Sequence, residues 1–202
     1  MAILLIASGN PGKQRELRAL LDLPGLVLLD PSSINLDLQV SEKGADYISN
    51  AELKASAYAR ASGLWALADD SGLEVDVLEG APGPRSARLG ASDLSDADRR
   101  HLLLKMLHDH PPPWRARFCS AVALADPKGE TDLAEGICMG QIIAEERGSG
   151  GFGYDPIFLV DGTERTMAEL SLEEKNRLSH RAKAIEALKP VLRIRLGLER
   201  DK

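Results

Sequence analysis

A short turn near the start of the chain carries the residue types of a phosphate site. Residues 8–13 read Ser-Gly-Asn-Pro-Gly-Lys and follow an apolar run, 2–7, that predicts a buried strand. Asn10 is a favourable N-cap, and Pro11 suits the first position of a helix. The turn would direct free backbone N–H groups and the positive end of a helix dipole at a ligand, with Lys13 in the first helical turn. We predict an anion site for phosphate; the alternative is an ordinary strand-to-helix turn with a surface lysine.

Two adjacent carboxylates and a hydroxyl form a second candidate group. Asp69, Asp70 and Ser71 come directly after a predicted strand, 64–68, at the end where α/β folds bind their ligands. Because successive strand residues face opposite ways, only one carboxylate need point into a site. Oxygen ligands suit Mg²⁺, which retains waters while it engages phosphate. These residues predict a magnesium site, and the alternative is a polar turn that caps the strand.

Two weaker candidates lie between these groups. Glu42 precedes an Ala-rich helix predicted over 45–62 and could be a second acidic metal ligand, although a surface glutamate is the simpler interpretation. Within that helix Asn50 and Lys54 share a face. They would reach a ligand only if that face borders the phosphate site, and the alternative is an exposed polar stripe.

Aromatic and basic residues near the end of the chain could bind a nucleobase. A Gly-rich loop, 148–153, leads into a predicted strand, 156–160, which is the wrong context for a dinucleotide-binding turn. Its glycines would let the backbone approach a ligand closely, and Phe152 could then stack on a base; a plain hairpin loop is the alternative. His180 and Arg181, at the start of the last predicted helix, offer donors for a carbonyl oxygen, unless they are a structural or solvated pair.

The composition indicates a globular protein with a small ligand. The 202 residues are enough for one domain with a substantial core, and 44% of them are hydrophobic. The net charge of −6 argues against a nucleic-acid surface, which needs clustered Lys and Arg. The two cysteines, Cys119 and Cys138, form no C-x-x-C pair, which suits a reducing cytoplasm. No apolar run approaches the roughly 20 residues of a membrane span, and we expect no secretory signal.

The predicted elements that would position these residues alternate between strands and helices before two long strands follow one another. This order favours a mixed α/β sheet. The predicted strands are 2–7, 27–29, 64–68, 115–125, 133–144 and 156–160, and the predicted helices are 11–23, 45–62, 93–109, a short helix opened by Ser171-Leu172-Glu173-Glu174, and 179–196.

Taken together, the candidate residues resemble the motifs of a known family, in order and at the right spacing. The matching segments are Ser8-x-Asn10-x-x-Lys13, Glu42-x-Gly44, Asn50-Ala51-x-x-Lys54-Ala55, Asp69-Asp70-Ser71-Gly72-Leu73, Gly80-Ala81-Pro82-Gly83, Gly151-Phe152-Gly153-Tyr154-Asp155-Pro156 and Glu174-Lys175-Asn176-x-x-Ser179-His180-Arg181. The chain resembles the inosine triphosphate pyrophosphatase family (the RdgB-like noncanonical purine NTP pyrophosphatases) from residue 2 to about residue 190.

The resemblance implies an activity, a fold and partners. The activity is Mg²⁺-dependent hydrolysis of ITP, dITP and XTP to the nucleoside monophosphate and pyrophosphate, which removes these nucleotides from the cellular pool. The fold is a single domain over 1–202, α/β, with an elongated mixed central sheet flanked by helices and two lobes that have the active site in the cleft between them. The implied protein is a cytoplasmic homodimer that binds neither nucleic acid nor membrane.

The resemblance also implies a role for each site residue. Asp70 would be the general base and would hold the metal together with Glu42. The triphosphate would be cradled by Ser8, Gly9, Asn10, Pro11, Gly12 and Lys13, with Lys54 nearby. The base and sugar would be contacted mainly by Ser71, Phe152, Gly153, Tyr154, Asp155, Lys175, His180 and Arg181. Ser8 stands where threonine is common, and Lys43 stands where threonine is common in the Glu42 motif. Neither departure removes a required group.

Residue chemistry and resemblance agree on water attack at the α-phosphorus with pyrophosphate as the leaving group. Donors from His180 and Arg181 to the oxygen at purine position six would reject adenine, whose amino group leaves them unpaired. Two alternatives remain: a pyrophosphatase of different base specificity, such as one acting on modified pyrimidines as Maf-type proteins do, and a nucleotide-binding module without turnover.

Overall fold

The fold is built on a sheet of seven strands in the part of the chain that the computed structural model describes, residues 1–40, 46–91 and 93–198. The strand order is β2-β1-β3-β5-β6-β7, with β4 paired to β3. β1 is parallel to β2 and β3, whereas β4 and β7 are antiparallel to their neighbours, so the sheet is mixed. The strands are β1 Ala2–Ile6, β2 Leu26–Leu29, β3 Trp65–Val75, β4 Pro82–Gly83, β5 Trp114–Ala125, β6 Thr131–Ile142 and β7 Phe158–Val160.

The helices begin at the residues that their capping patterns indicate. The α-helices of the described residues are α1 Pro11–Leu20, α2 Tyr47–Ser62, α3 Asp96–Leu107, α4 Leu172–Leu178 and α5 His180–Leu196. Ser95 and Ser171 form reciprocal capping boxes at the starts of α3 and α4. Gly63 ends α2 at a φ of 70°, a left-handed conformation that costs glycine little.

The chain divides into two compact units. The first unit comprises residues 1–70, 120–136 and the chain from 181 onward; the second comprises 71–119 and 137–180. In the first unit, β1 packs apolar side chains against α1 and α5, with Leu4, Leu17 and Ile185 completely buried. In the second, Leu103 of α3 and Phe158 of β7 belong to a separate apolar core. Each such side chain stabilises its unit by about 1.5–3 kcal/mol through burial.

The main departure from the sequence-based expectation concerns β3. The predicted strand ends at residue 68, whereas β3 continues to Val75, so Asp69 and Asp70 lie within a strand and not at its end. Leu73 and Val75 are completely buried, and β4 pairs with Leu73, so both core packing and hydrogen bonding hold this segment extended.

Smaller differences occur at element ends and in one loop. The expected loop at residues 81–84 contains β4, and α1 ends at Leu20 and not at residue 23. α3 begins only at Asp96, because Ser95 provides the N-cap. None of the described helices is long and apolar enough to cross a bilayer. That the whole chain is one domain stays a prediction.

Candidate active site

The turn between β1 and α1 has the capped geometry that the sequence predicts. The Oδ1 atom of Asn10 accepts a hydrogen bond from the backbone N–H of Lys13 at 3.0 Å, and Pro11 begins the helix. The hydroxyl of Ser8 accepts from the backbone N–H of Asn10 at 3.2 Å. Residues 9–12 are exposed or half-buried, so the N-terminal end of α1 is accessible. An anion that docks there meets a preformed site with favourable polarity.

Two ammonium groups converge on one residue of β3. The Nζ atom of Lys13 lies 2.7 Å from Oδ1 of Asp69 and 3.3 Å from the carbonyl oxygen of the same residue. Lys54, which is half-buried on α2, donates to that carbonyl at 3.3 Å. The side chain of Lys13 keeps 15% exposure, and Asp69 holds its ammonium group in place.

Asp69 is completely buried and is balanced by charged partners. Its Oδ2 atom accepts from Nε of Arg181 and from the hydroxyl of Ser120, each at 3.0 Å. Arg181 also donates to Glu16 of α1. Burial by itself raises the pKa of Asp69, but the positive charges of Arg181 and Lys13 outweigh burial and hold that pKa well below its usual range. Asp69 is therefore ionised at neutral pH and anchors Lys13.

Asp70 has a different partner, as the alternation of side chains along β3 leads one to expect. Its Oδ2 atom accepts from the amide nitrogen of Asn50 at 3.0 Å. Asn50 is completely buried and Asp70 is 6% exposed. Asn50 and Lys54 lie one turn apart on α2, so that helix supplies both the donor to Asp70 and a cation beside Asp69. The exposed polar stripe, the alternative interpretation of this helix face, is wrong.

In the second unit, a tight turn at residues 152–155 is held by a buried ion pair. The Oδ2 atom of Asp155 accepts from the backbone N–H of Phe152 at 2.9 Å and from Nζ of Lys175 at 2.6 Å. The Lys175 ammonium lies 5.2 Å from the centroid of the Phe152 ring, which is a cation–π distance. Both charged side chains are 5% exposed, whereas Phe152 is half-buried. The ring of Phe152 is thus oriented by neighbours and remains partly accessible.

Two further predicted site residues of the second unit have different degrees of burial. Tyr154 donates its hydroxyl to the carbonyl of Ser86 at 2.8 Å, and burial raises the pKa of Tyr154 above its usual value. Ser71 is half-buried in β3. Tyr154 therefore has a clear structural contact, and a contact of either residue with substrate stays a prediction.

His180 and Arg181 begin α5 and are both buried. The ring of His180 stacks on Phe118, with centroids 4.8 Å apart and an interplanar angle of 16°. Burial lowers the pKa of Arg181, but the carboxylates of Asp69 and Glu16 outweigh burial and raise it above its usual value. Arg181 is thus a fixed cation between two carboxylates. Direct contact of His180 or Arg181 with a base stays a prediction.

The predicted metal ligands are only partly within the described structure. Glu42 lies outside the described residues. Across residues 1–40, 46–91 and 93–198, no group of three or more His, Cys, Asp or Glu side chains is arranged to hold a metal ion. A pair of carboxylates, Asp69 and Asp70, occupies consecutive positions of β3, and Asp69 forms an ion pair with Lys13 of α1.

Sequence reasoning missed two members of this arrangement. Glu16 lies three residues after Lys13 on α1, so a shared helix face was the available signal. Ser120 is a polar residue within the apolar run 118–125 of β5, which is a pattern typical of a satisfied buried hydroxyl. Glu16 is 165 residues away from its partner Arg181, and Ser120 is 51 residues away from its partner Asp69, so no local pattern connects either pair.

The first unit therefore combines an accessible helix N-terminus, two lysines and two buried carboxylates with separate partners. Such an arrangement can bind a polyphosphate and can orient a water molecule with a carboxylate. The second unit combines a partly accessible aromatic ring with a fixed lysine–aspartate pair. Such an arrangement can stack on a planar ring and donate hydrogen bonds to it.

Comparisons with known proteins agree with these features. The model of the Ham1 family matches residues 4–191. A dITP/XTP pyrophosphatase of Thermus thermophilus is 46% identical over 185 residues, which cover 92% of this chain and 89% of that protein. A dITP/XTP pyrophosphatase of Streptomyces coelicolor is 46% identical over 200 residues, which cover 98% of this chain and 100% of that protein.

A solved structure supports the fold. The HAM1 protein from Coxiella burnetii superimposes with a TM-score of 0.86 at 36% identity, covering 95% of this chain and 98% of that chain. The expected mixed α/β fold is confirmed, and so is the resemblance to noncanonical purine NTP pyrophosphatases. On the matching family model and the coverage of these relatives, this chain belongs to the Ham1 family.

Proposed function

We propose that the protein hydrolyses noncanonical purine nucleoside triphosphates, ITP, dITP and XTP, to the monophosphate and pyrophosphate. The observation that carries the proposal is the ion pair between Lys13, at the accessible start of α1, and Asp69. Asp69 directly precedes Asp70 in β3. Relatives that match nearly the whole chain are named dITP/XTP pyrophosphatases, which supports this substrate class.

The triphosphate would bind at the N-terminus of α1. The backbone N–H groups of Gly9 and Gly12 and the ammonium groups of Lys13 and Lys54 would neutralise its charge. Since Asp69 fixes Lys13 before substrate arrives, little reorganisation is needed when charge develops on the leaving pyrophosphate. Lys54 would support the same phosphates from α2, where it lies beside Asp69.

The donor set fits a Mg²⁺ ion, which we propose is held by Asp70 and Glu42. Mg²⁺ takes oxygen ligands, retains several waters and is bound by few carboxylates together with substrate phosphates. The carboxylate of Asp70, next in sequence to the Asp69 that binds Lys13, matches that preference. When bound, the ion would supply charge neutralisation on the phosphates.

Asp70 would act as the general base. The hydrogen bond from Asn50 restricts the orientation of its carboxylate, so that it can hold a water molecule and take a proton as the water attacks the α-phosphorus. The α–β anhydride bond breaks, and pyrophosphate leaves with the charge stabilised near Lys13. The nucleoside monophosphate and pyrophosphate are then released.

The residues proposed for base recognition are those that the family resemblance implies. We propose that Phe152 stacks on the purine while Lys175, Asp155, Tyr154, Gly153 and Ser71 contact the base or the sugar. Donors from His180 and Arg181 would favour the oxygen at purine position six over the amino group of adenine. The contacts of Arg181 with Asp69 and Glu16 orient its guanidinium. A contact of Arg181 with the base is what the family resemblance implies.

The test is to incubate the purified protein with single nucleoside triphosphates and Mg²⁺ and to measure pyrophosphate and orthophosphate separately. We expect pyrophosphate from ITP, dITP and XTP, and little product from ATP. Release of orthophosphate would contradict the proposal, and preference for modified pyrimidines would favour the Maf-like alternative. Binding of ITP without any Mg²⁺-dependent product would favour a nucleotide-binding module.

A cytoplasmic homodimer is the proposed form of the enzyme, with no nucleic acid or membrane as partner. The two cysteines, Cys119 and Cys138, are free and buried, which suits a reducing compartment. Light scattering of the purified protein measures the mass of the particle. A mass of one chain at micromolar concentration would contradict the dimer.

A further inference from the structure

Both peptide groups of Gly153 are bound by side chains of α3. The backbone N–H of Gly153 donates to Oδ2 of Asp96 at 2.7 Å, and its carbonyl accepts from Nη1 of Arg100 at 2.8 Å. Asp96 and Arg100 lie four residues apart, on one face of α3. α3 thus binds the turn that carries Phe152, and it does so at Gly153, the residue directly after Phe152.

Arg100 is itself fixed by a second partner. Its Nε and Nη2 atoms donate to the two carboxylate oxygens of Glu146, each at 2.8 Å, in the paired geometry that suits guanidinium and carboxylate. The side chain of Arg100 is only 12% exposed. The guanidinium therefore has little freedom to move, because Glu146 binds it on one side while it donates to the Gly153 carbonyl on the other.

The opposite side of the same turn is held separately. Asp155 accepts from the Phe152 N–H and from Lys175, so the backbone is tied both before and after Gly153. Gly153 has a φ of 61°, which glycine adopts without strain. No contact of Asp96 or Arg100 is needed to close the turn, since Asp155 does that. Their hydrogen bonds instead fix where the closed turn lies on α3.

We propose that Asp96 and Arg100 are positioning residues that hold Phe152 in the place where it stacks on the purine. The proposal rests on the proposed function, in which Phe152 contacts the base. Without these contacts the turn would occupy several positions, and only a fraction of the molecules would have the position that binds the base. The affinity for the nucleoside would be reduced in proportion to that fraction. Affinity for the pyrophosphate group, which α1 binds, would not change.

The experiment compares Arg100→Ala and Asp96→Ala with Asp96→Asn and Arg115→Ala. Asparagine keeps an oxygen that can accept from Gly153, so Asp96→Asn should behave like the unmodified enzyme. Arg115 forms a two-bonded ion pair with Asp161 in the same unit, at 2.9 and 2.6 Å, and serves as the matched control. For each protein, KM and kcat with ITP are measured, together with inhibition constants for IMP and for pyrophosphate and the melting temperature.

In the two alanine variants we expect a roughly tenfold rise in the KM for ITP and in the inhibition constant of IMP, because each loses a hydrogen bond to the turn. The constant for pyrophosphate and kcat should stay within about twofold. Unchanged KM values in an active enzyme, or equal weakening of IMP and pyrophosphate, would overturn the positioning role. Failure of the unmodified protein to release pyrophosphate from ITP would instead overturn the proposed function.

Discussion

At the scale of single residues, two neighbouring carboxylates have been given different environments. Asp69 is bonded to Arg181, Lys13 and Ser120, so its charge is balanced by two cations. Asp70 is bonded to a neutral amide, that of Asn50. We assign the general-base role to Asp70 from the family resemblance and from the orientation that the Asn50 amide gives its carboxylate.

Replacement of Asp70 by asparagine tests that assignment. We expect kcat for ITP to fall by roughly 100- to 10,000-fold, since a positioned base is lost while the shape of the side chain is kept. The measurement is pyrophosphate release at saturating ITP, together with circular dichroism to verify folding. Asp132→Asn, which removes a surface ion pair with Arg195, is the control and should keep its activity. Turnover near that of the unmodified enzyme would remove Asp70 from the mechanism.

Replacement of Asp69 by asparagine should act on stability. Arg181 and Lys13 would lose their shared carboxylate, so the free energy of unfolding should fall by about 3–5 kcal/mol. Asp30→Asn, which weakens a more exposed pair with Arg18, should cost less than about 1 kcal/mol. Urea denaturation measures both values, and equal losses would contradict the structural role of the buried charge.

The same carboxylate predicts a pH dependence with a definite sign. The pKa of Asp69 is lowered in the folded protein, so its stabilising effect is fully present above the ordinary carboxyl pKa of about 3.9 and is lost as the pH falls towards the folded value. Between about pH 5 and about pH 3, the unmodified protein should therefore lose more stability than the Asp69→Asn variant. Parallel curves of unfolding free energy against pH would show that Asp69 is not the group responsible.

At the scale of elements, local sequence explains the start of α1, the helix that we propose binds the phosphates. Asn10 and Pro11 set the start of α1 by capping and by a fixed φ, and both signals act within a few residues. β3 behaves differently. Its continuation through Asp69 and Asp70 depends on burial of Val75 and on pairing with β4, neither of which is visible in a window of polar residues.

The start of α1 can be tested by a substitution that keeps the cap and changes the charge. Aspartate caps a helix about as well as asparagine, so Asn10→Asp should alter the free energy of unfolding by less than about 0.5 kcal/mol. A negative charge at the proposed phosphate site should nevertheless raise the KM for ITP roughly tenfold or more. Steady-state kinetics and urea denaturation measure the two effects. An unchanged KM would place the triphosphate elsewhere.

At the scale of the whole molecule, three strands connect the two compact units. β3, β5 and β6 each begin in one unit and end in the other, so neither unit contains these three strands complete. We therefore expect both parts to unfold in one cooperative transition. This continuity supports the prediction of a single domain.

The two tryptophans of the chain provide the measurement. Trp65 packs against the core of the first unit and Trp114 against that of the second. The fluorescence of Trp65→Phe comes from Trp114 and reports the second unit, and that of Trp114→Phe comes from Trp65 and reports the first. Far-ultraviolet circular dichroism reports the whole protein. We expect fluorescence and circular dichroism to give the same urea midpoint within each variant. Separate midpoints would show that the units unfold independently and would contradict the single-domain prediction.

The sequence by itself determined the features that act over short distances: the capped turn at Asn10, most helix starts, the mixed order of strands and helices, and the motifs that identify the family. Only the tertiary structure decided that Arg181 would bind Asp69, 112 residues away, and Glu16, 165 residues away. It also decided that α3 would hold Gly153. The reason is physical: caps and strand patterns are set by neighbours along the chain, whereas a buried charge takes whichever partner the packing of distant elements brings within hydrogen-bond distance.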